Sequence, residues 1–396
     1  MSDPVSKHIA NVLDEVTALR RDLHANPELS AKEHNTSGKV RELLATIEGL
    51  EVLPPFLGTD VVAVLNGNRR GPCLALRADL DALPISEETG LPYQSTVPGV
   101  MHACGHDGHT VVLLGTAMVL ARLADSLPGR VVFIFQPDEE DGGGGGRLCE
   151  RGVLESLKVD AAVALHGWPS RPVGTIVARP GPIMAANNCF EVTVRGVGSH
   201  GAYPHRGIDP IVTAAHIVVG LQSIVARTVN PLEAAVVTVG QIAGGTATNV
   251  IPSECRFKGT LRYTSPPLGE HLRQRLRRVA EDTARAHGAE AAVEIMGGYP
   301  PMVNDPDLTR LIQDAVQALL GQENLVVDEP VSMGVEDFAF YAQRVPAMMF
   351  RLGLRPPEQD SYPSLHTPLF DFNDAALPVG IRMFCEIARR FLARPV

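Results

Sequence analysis

The sequence predicts an α/β protein, a mostly parallel sheet covered by helices and interrupted by an inserted ferredoxin-like α+β domain, and three observations carry that reading. The chain has 396 residues, more than the ~250 to 300 at which a single hydrophobic core usually stops growing, so two domains are expected. Short runs rich in Val, Leu and Ile alternate with helical patterns through the first half, as strands buried on both faces do. From 184 to 296 the order becomes strand, helix, strand, strand, helix, strand, which is the ferredoxin-like arrangement. The first domain is therefore read as 1–183 with 297–396, and the inserted domain as 184–296.

Taken in order, the N-terminal MSDPVSKHIANVLDEV reads as the start of an amphipathic helix, since no basic region is followed by an apolar core. Three apolar runs follow. Cys73 to Ala78 leads into Asp79-Leu80-Asp81, Val131 to Phe135 into Gln136-Pro137-Asp138-Glu139-Glu140, and Ala161 to Leu165 into His166. Open α/β sheets bind ligands just outside the carboxyl ends of their strands, so these three ends are expected to converge. A loop from Pro84 to Met101, with Gly90, Pro92, Pro98 and Gly99, is longer than most connections, which marks it as functional or mobile. It delivers the chain to His102-Ala103-Cys104-Gly105-His106-Asp107-Gly108-His109, and the spacing of Val111, Val112, Leu114, Met118 and Leu120 predicts a helix from about His109 to Leu123.

In the inserted domain, strands are predicted at 189–194, 234–242, 255–262 and 291–295, and helices at 209–227 and 268–287. Asp209-Pro210 suits a helix start, because Asp caps free amides and Pro occupies a position that needs no amide donor. Segments 307–320, 336–343, 347–352 and 373–392 resume helix and strand and complete the first domain.

Hydrophobic residues make up 45% and charged residues 20%, which fits a globular enzyme rather than a disordered chain. The formal charge of -10 argues against nucleic-acid binding, which needs clustered Lys and Arg to displace counterions. The dense basic stretch Arg273 to Arg278 lies among Leu272 and Leu276 in helical spacing and reads as a solvated face. The apolar stretch Val111 to Ala121 is well short of the ~20 residues of a membrane span, so no membrane partner is expected and a cytoplasmic location is. Cysteines at 73, 104, 149, 189, 255 and 385 form no CxxC pair, against a disulfide framework. The glycine run 142–146 is not followed by GK[ST], no GxGxxG is followed by an acidic residue about 20 positions later in a βαβ unit, and no GxSxG elbow is present.

Cys104 and His106 lie just before a helix, where the dipole favours a thiolate and both side chains can reach one small volume. Metal binding is the chemical use of that pair, and a buried structural Cys among loop histidines is the alternative. Adjacent Glu139 and Glu140 point to opposite sides on an extended backbone, so one can ligate a metal while the other faces a water. A solvated acidic loop with Asp138 and Asp141 would look the same. His166 at a strand end and His366 on a loop each have an ordinary structural reading as well. In the inserted domain, His200, Asn249 and Arg262 can serve as turn and surface residues, or as an oxyanion donor, an amide contact and a guanidinium fork for a carboxylate.

Together, RRDLHANPELS at 20–30, ADLDALP at 78–84, MHACGHDGHT at 101–110, FQPDEE at 135–140, ALHGWP at 164–169, GTATNVIP at 245–252, GVEDFAFY at 334–341 and LHTPLFDFND at 365–374 resemble successive signatures of one family. It is the aminoacylase and carboxypeptidase G family of two-metal peptidases, and within it the hippurate hydrolase and indole-acetyl-amino acid hydrolase subfamily. The resemblance spans nearly the whole chain. It implies a metal site at the strand C-termini with Cys104, His106, Glu140, His166 and His366 as ligands of two divalent ions, Cys104 in the bridging position. It implies Glu139 as general base, Asp81 orienting a ligand histidine, and His200, Asn249 and Arg262 as substrate contacts. The inserted domain becomes a lid used for dimerisation, and the apolar segment Ile211 to Ala226 supports a homodimer. Asp138, Asp141, Met333 and Val335 depart from the family pattern and bear on the shape and charge of the substrate pocket.

The expected reaction is hydrolysis of an N-acyl amino acid to a carboxylic acid and a free amino acid. A dipeptide or carbamoyl compound on the same site is the alternative substrate, and a non-catalytic small-molecule binding protein is the alternative class. A thiolate favours Zn²⁺, while the carboxylate and imidazoles also accept Mn²⁺, Co²⁺ or Ni²⁺.

Overall fold

The computed structural model describes residues 4–394. The chain packs as two units. The first runs to Gly181 and takes up the chain again over Val303–Glu329 and from Asp337 onward; the second comprises Pro182–Met302 and Pro330–Glu336.

The first unit is built on an eight-stranded sheet among the described residues. Its centre is parallel. Strand Arg69–Asp79 lies between Pro128–Gln136, with Asp79 opposite Gln136, and Ala161–Pro172, with Leu76 opposite Val163. Ala347–Arg355 follows, parallel again, with Arg351 opposite His166. Antiparallel pairs flank it on both sides, Leu50–Val52 on Val61–Asn66, that strand on Pro128–Gln136, and Ile176–Val177 on Ala347–Arg355, and Leu325–Val326 closes the second side parallel to Ile176–Val177. The three strand ends singled out in the sequence are therefore neighbours at one edge.

Helices His106–Ala121 and Leu377–Leu392 cover this sheet, and Pro4–Ala25 packs against both of them. Val5, Ile9, Val12, Val16 and Leu23 form one buried stripe of the first helix, and burying each such side chain stabilises the fold by about 1.5–3 kcal/mol. The His106–Ala121 helix is buried on all sides. Gly108 makes this possible: a Cβ there would lie 2.3 Å from the Phe372 ring.

The sequence-based boundaries need three corrections. The helix begins at His106 rather than His109, because Gly105 adopts φ 86 and turns the chain into the helix three residues early. The strand through Ala161 continues past His166 to Pro172, since Ala347–Arg355 offers it a ladder that far. The segment 336–343 contains only a short helix, Ala339–Ala342. The Pro84 to Met101 loop is not loose, because Thr96 N donates to Ala25 O (2.8 Å), Ser95 N to Glu87 (2.7 Å) and Tyr93 OH to Asp371 (2.9 Å).

The second unit has a four-stranded antiparallel sheet, in order Ala235–Gly244, Glu254–Tyr263, Ala186–Arg195, Glu290–Met296, with helices Pro210–Thr228 and Pro266–Ala286. Chain order and strand order together are ferredoxin-like. Asp209 accepts from the amides of Ile211 and Val212 ahead of Pro210, the cap its sequence promised. Segment Pro330–Glu336 joins this unit through backbone bonds, Ser332 N to Ile183 O and Ala185 N to Ser332 O. All six cysteines are unpaired.

Candidate metal centre

The donor atoms gather at the carboxyl edge of the parallel strands. Cys104 stands in the turn before its helix, Glu140 follows the strand Pro128–Gln136, and His166 lies within its own strand. His366 comes from a distant loop, brought in by a bond from its backbone amide to Ala103 O (2.8 Å). Its φ of 60 is uncommon for a residue with a Cβ and is held by the surrounding fold.

Distances within the cluster are short. Cys104 Sγ is 3.5 Å from His166 Nε2 and 3.4 Å from His366 Nε2. Glu140 Oε1 is 3.3 Å from His366 Nε2 and 3.8 Å from His106 Nε2. Cys104, His106 and His166 form one compact triad, and Cys104, Glu140 and His366 form another. Cys104 belongs to both.

The hydrogen bonds settle which ring nitrogens carry lone pairs. His106 Nδ1 is 2.9 Å from Asp81 O, and His166 Nδ1 is 2.8 Å from Gly167 O. A carbonyl only accepts, so each Nδ1 donates and in the neutral ring Nε2 presents its lone pair to the cluster. His106 Nε2 and Glu140 Oε1 are buried without a hydrogen-bond partner. With His106 neutral, two electron-rich atoms face each other, a costly arrangement that a divalent cation relieves. Soft sulfur, imidazole nitrogen and carboxylate oxygen suit Zn²⁺ and its first-row neighbours. The residues fit the group.

Electrostatics agree. Burial, with Glu140, Glu139 and Asp79 nearby, pushes the Cys104 thiol well above its ordinary pKa. Burial works against a charged His106, but Asp79, Asp81 and Glu140 outweigh it and raise the imidazole to about 10. The pocket thus holds an excess of negative potential. Burial, together with His109, keeps His166 neutral well below the usual histidine range.

The surrounding residues orient this set. Asp81 Oδ1 lies 3.3 Å from His106 Nδ1, while its Oδ2 accepts from Glu140 N (3.0 Å) and Ser30 Oγ (2.7 Å). Glu139 is buried within the reach of His106 and Glu140, and its Oε1 accepts from the Asp337 amide at 3.3 Å. Asp138, with φ 62, turns its carboxylate to Arg147 (2.6 Å) and the Gly142 amide (2.8 Å).

In the run 102–109 the sequence suits His102, Asp107 and His109 to supporting roles, whereas Arg20, His24 and Arg77 escaped the sequence reading. Asp79, His106 and His109 also lie close enough to enclose a cation, but His109 has no lone pair left: Nδ1 donates to Asp79 (2.7 Å) and Nε2 accepts from Gly167 N (2.8 Å). Asp79 is paired in turn with Arg77 (2.6 Å), whose guanidinium also reaches Gln136 (2.9 Å) and Asp337 (2.8 Å). A charged residue inside the apolar run CLALRAD was the available signal, since a buried Arg requires partners. Below the metal loop, Arg20 Nε meets Asp107 at 2.9 Å and also pairs with Asp371 and Asp374, and His24 joins Asp107 (2.8 Å) to Glu87 (3.2 Å). His102 is buried there with neither ring nitrogen hydrogen-bonded, and burial lowers its pKa to about 4.

In the second unit, His200 pairs across a short ladder with Val250, next to Asn249, and both side chains are exposed. His200 Nδ1 accepts from Ala202 N (3.0 Å). Arg262 stands apart from them on the four-stranded sheet, opposite Asn187, and donates to Met333 O at 2.6 Å.

Comparison with known proteins gives a consistent set of likenesses. The sequence model of peptidase family M20/M25/M40 matches residues 75–390. An N-acetyl-L-cysteine deacetylase of Bacillus subtilis (strain 168) is 40% identical over 391 residues, covering 99% of this chain and 91% of the relative. IAA-amino acid hydrolase ILR1-like 4 of Arabidopsis thaliana is 38% identical over 383 residues, covering 96% and 86%. Among solved structures, the Bacillus subtilis YXEP protein, described as a dinuclear metal binding peptidase from the M20 family, superposes with a TM-score of 0.86 at 37% identity, covering 97% of this chain and 99% of that one.

Proposed function

The chain belongs to peptidase family M20/M25/M40, and from that premise we propose that it hydrolyses the amide bond of an N-acyl amino acid, releasing a carboxylic acid and a free amino acid. The single observation that carries this reading is the pair of donor triads sharing Cys104, with Glu139 beside them.

Cys104, His106, Glu140, His166 and His366 are assigned to hold two divalent ions, of which Zn²⁺, Mn²⁺, Co²⁺ and Ni²⁺ all suit the donors. When bound, such ions supply Lewis acidity that polarises the amide carbonyl and acidifies water. Glu139 accepts the proton of the attacking water and passes it to the leaving nitrogen. Asp81 holds His106 in the tautomer and orientation ligation needs. His200 is assigned to the developing oxyanion, and Asn249 and Arg262 to the substrate's amide and carboxylate. Arg262 would exchange its bond to the Met333 carbonyl for the substrate.

The test pairs elemental analysis with a panel of N-acetyl, N-benzoyl and longer-chain acyl amino acids, dipeptides and carbamoyl amino acids on one preparation. Two first-row divalent ions per chain and fastest turnover of an acyl amino acid are expected. A preferred dipeptide or carbamoyl substrate would redirect the assignment to those amidases.

The chain is assigned to a homodimer formed through its second unit. Helix Pro210–Thr228 buries Ala214, Ile217, Leu221 and Ile224 but exposes Ile211, Val212 and Val219. By length and composition alone it is apolar enough to cross a membrane, and a partner subunit is the cover we assign to its exposed side. Analytical ultracentrifugation at micromolar concentration should give a dimer, and a monomer there contradicts the assignment. Six unpaired thiols support a reducing compartment such as the cytoplasm.

A further inference from the structure

The relatives leave the acyl group open between a two-carbon acetyl and a bulky indole-acetyl. A cavity in the first unit bears on that choice. It measures about 500 Å³ and is lined by Trp168, Ser361, Tyr362 and Leu365 among others, within the range of pockets that enclose whole small molecules.

Its position follows from the donor segments. His166 and Trp168 are two residues apart on one strand, so both side chains point to the same face of the sheet, and their ring centroids are 6.0 Å apart. Leu365, which also lines the cavity, immediately precedes His366. The cavity therefore opens directly beside the donor cluster.

Trp168 is the sole tryptophan of the chain and it is held firmly. The buried Arg351 guanidinium lies 3.8 Å from its ring centroid. Its Nε1 donates to Glu329 Oε1 at 3.0 Å, and Arg171 Nε fixes the other Glu329 oxygen at 2.9 Å. An aromatic wall already immobilised loses little entropy when a ligand packs on it. An acetyl methyl would occupy very little of such a cavity, whereas a flat aromatic group would cover more of it and offer its ring to Trp168 and Tyr362.

We propose that this cavity is the acyl-group pocket and that Trp168 is the residue that sets its preference, for aromatic or comparably bulky apolar acyl groups over acetyl. The proposal rests on the amidohydrolase reading for the word acyl and on the cavity alone for the preference.

The test uses the full-length, metal-loaded protein with N-benzoyl and N-acetyl derivatives of one amino acid. Wild type should favour the benzoyl substrate. Trp168→Leu removes the wall, and Ser361→Phe fills the cavity from a loop position that bears no donor. Both should lower the benzoyl to acetyl ratio of kcat/KM at least tenfold, mainly through KM. In parallel, benzoate but not acetate should change the emission of Trp168 in wild type, and Ser361→Phe should abolish that response. Unchanged ratios in both variants, or emission insensitive to benzoate, overturn the proposal. If no acyl amino acid is cleaved while benzoate still perturbs Trp168 and Ser361→Phe abolishes the effect, the hydrolase reading falls and the pocket stands. If acyl amino acids are cleaved with an unmoved ratio, the reverse holds.

Discussion

Glu139 and Glu140 are neighbours in sequence with different surroundings in space. Glu140 Oε1 lies 3.3 Å from His366 Nε2, and Glu139 Oε1 accepts the Asp337 amide. Glu139→Gln should therefore keep its metal content while kcat falls about 10²- to 10⁴-fold, the usual share of a general base. Metal analysis and turnover on one sample check this, and near-normal turnover would remove Glu139 from its role. His24 offers a test of stability. Burial lowers its pKa, but the hydrogen bonds and charge of Asp107 and the bond to Glu87 raise it from the ordinary 6.5 to about 9. A raised folded pKa means that the stabilisation is fully present below pH ~6.5, declines as pH rises, and is lost above about 9. Its size is about 3 kcal/mol at most. Urea midpoints of wild type should thus fall between pH 6.5 and 9, and those of His24→Gln should fall less. Parallel profiles would show that the imidazolium contributes nothing. Cys104, His106 and the glutamate pair were legible as residue types. The two networks beneath them, Arg77 with Gln136 and Asp337 and Arg20 with Asp107, were not, because ion pairing depends on distance and these partners are supplied by separate segments.

The His106–Ala121 helix carries the metal loop on its first turn, so its seating decides where Cys104 and His106 stand. Gly108 has no space for a side chain: its Cβ would come 2.3 Å from Phe372, which is itself fully buried. Gly108→Ala should destabilise by about 1–3 kcal/mol, the cost of overpacking a core, read as a lower urea midpoint. An unchanged midpoint would mean that Phe372 moves aside freely. Apolar spacing revealed this helix but misplaced its start, since the left-handed Gly105 is a backbone property that spacing does not encode. Capping was more legible. Asp209 before Pro210 forecast a start that the bonds to Ile211 and Val212 realise, because a cap acts within one turn of its own helix.

At the scale of the whole molecule, metal binding should couple to folding, for the donors come from four separated stretches of chain that meet only in the native state. Removal of metal with a chelator is expected to lower the thermal midpoint by several degrees, following the binding term RT ln(1 + [L]/Kd). Cys104→Ser should show a smaller chelator shift, and equal shifts would place the ion elsewhere. The alternation of apolar runs and helical patterns, the change of order at 184–296 and the ordered motifs were enough to give from sequence the α/β class and the inserted ferredoxin-like domain and to nominate the candidate ligands. Those features are local: each depends on periodicity, capping or residue type within a few positions. Tertiary structure alone decided that His366 is carried to Ala103, that His109 has both nitrogens committed and cannot ligate, and that Trp168 walls a cavity beside the donors. Each of these depends on contacts between residues far apart in the chain, and their geometry exists only once the strands have paired and the helices have packed.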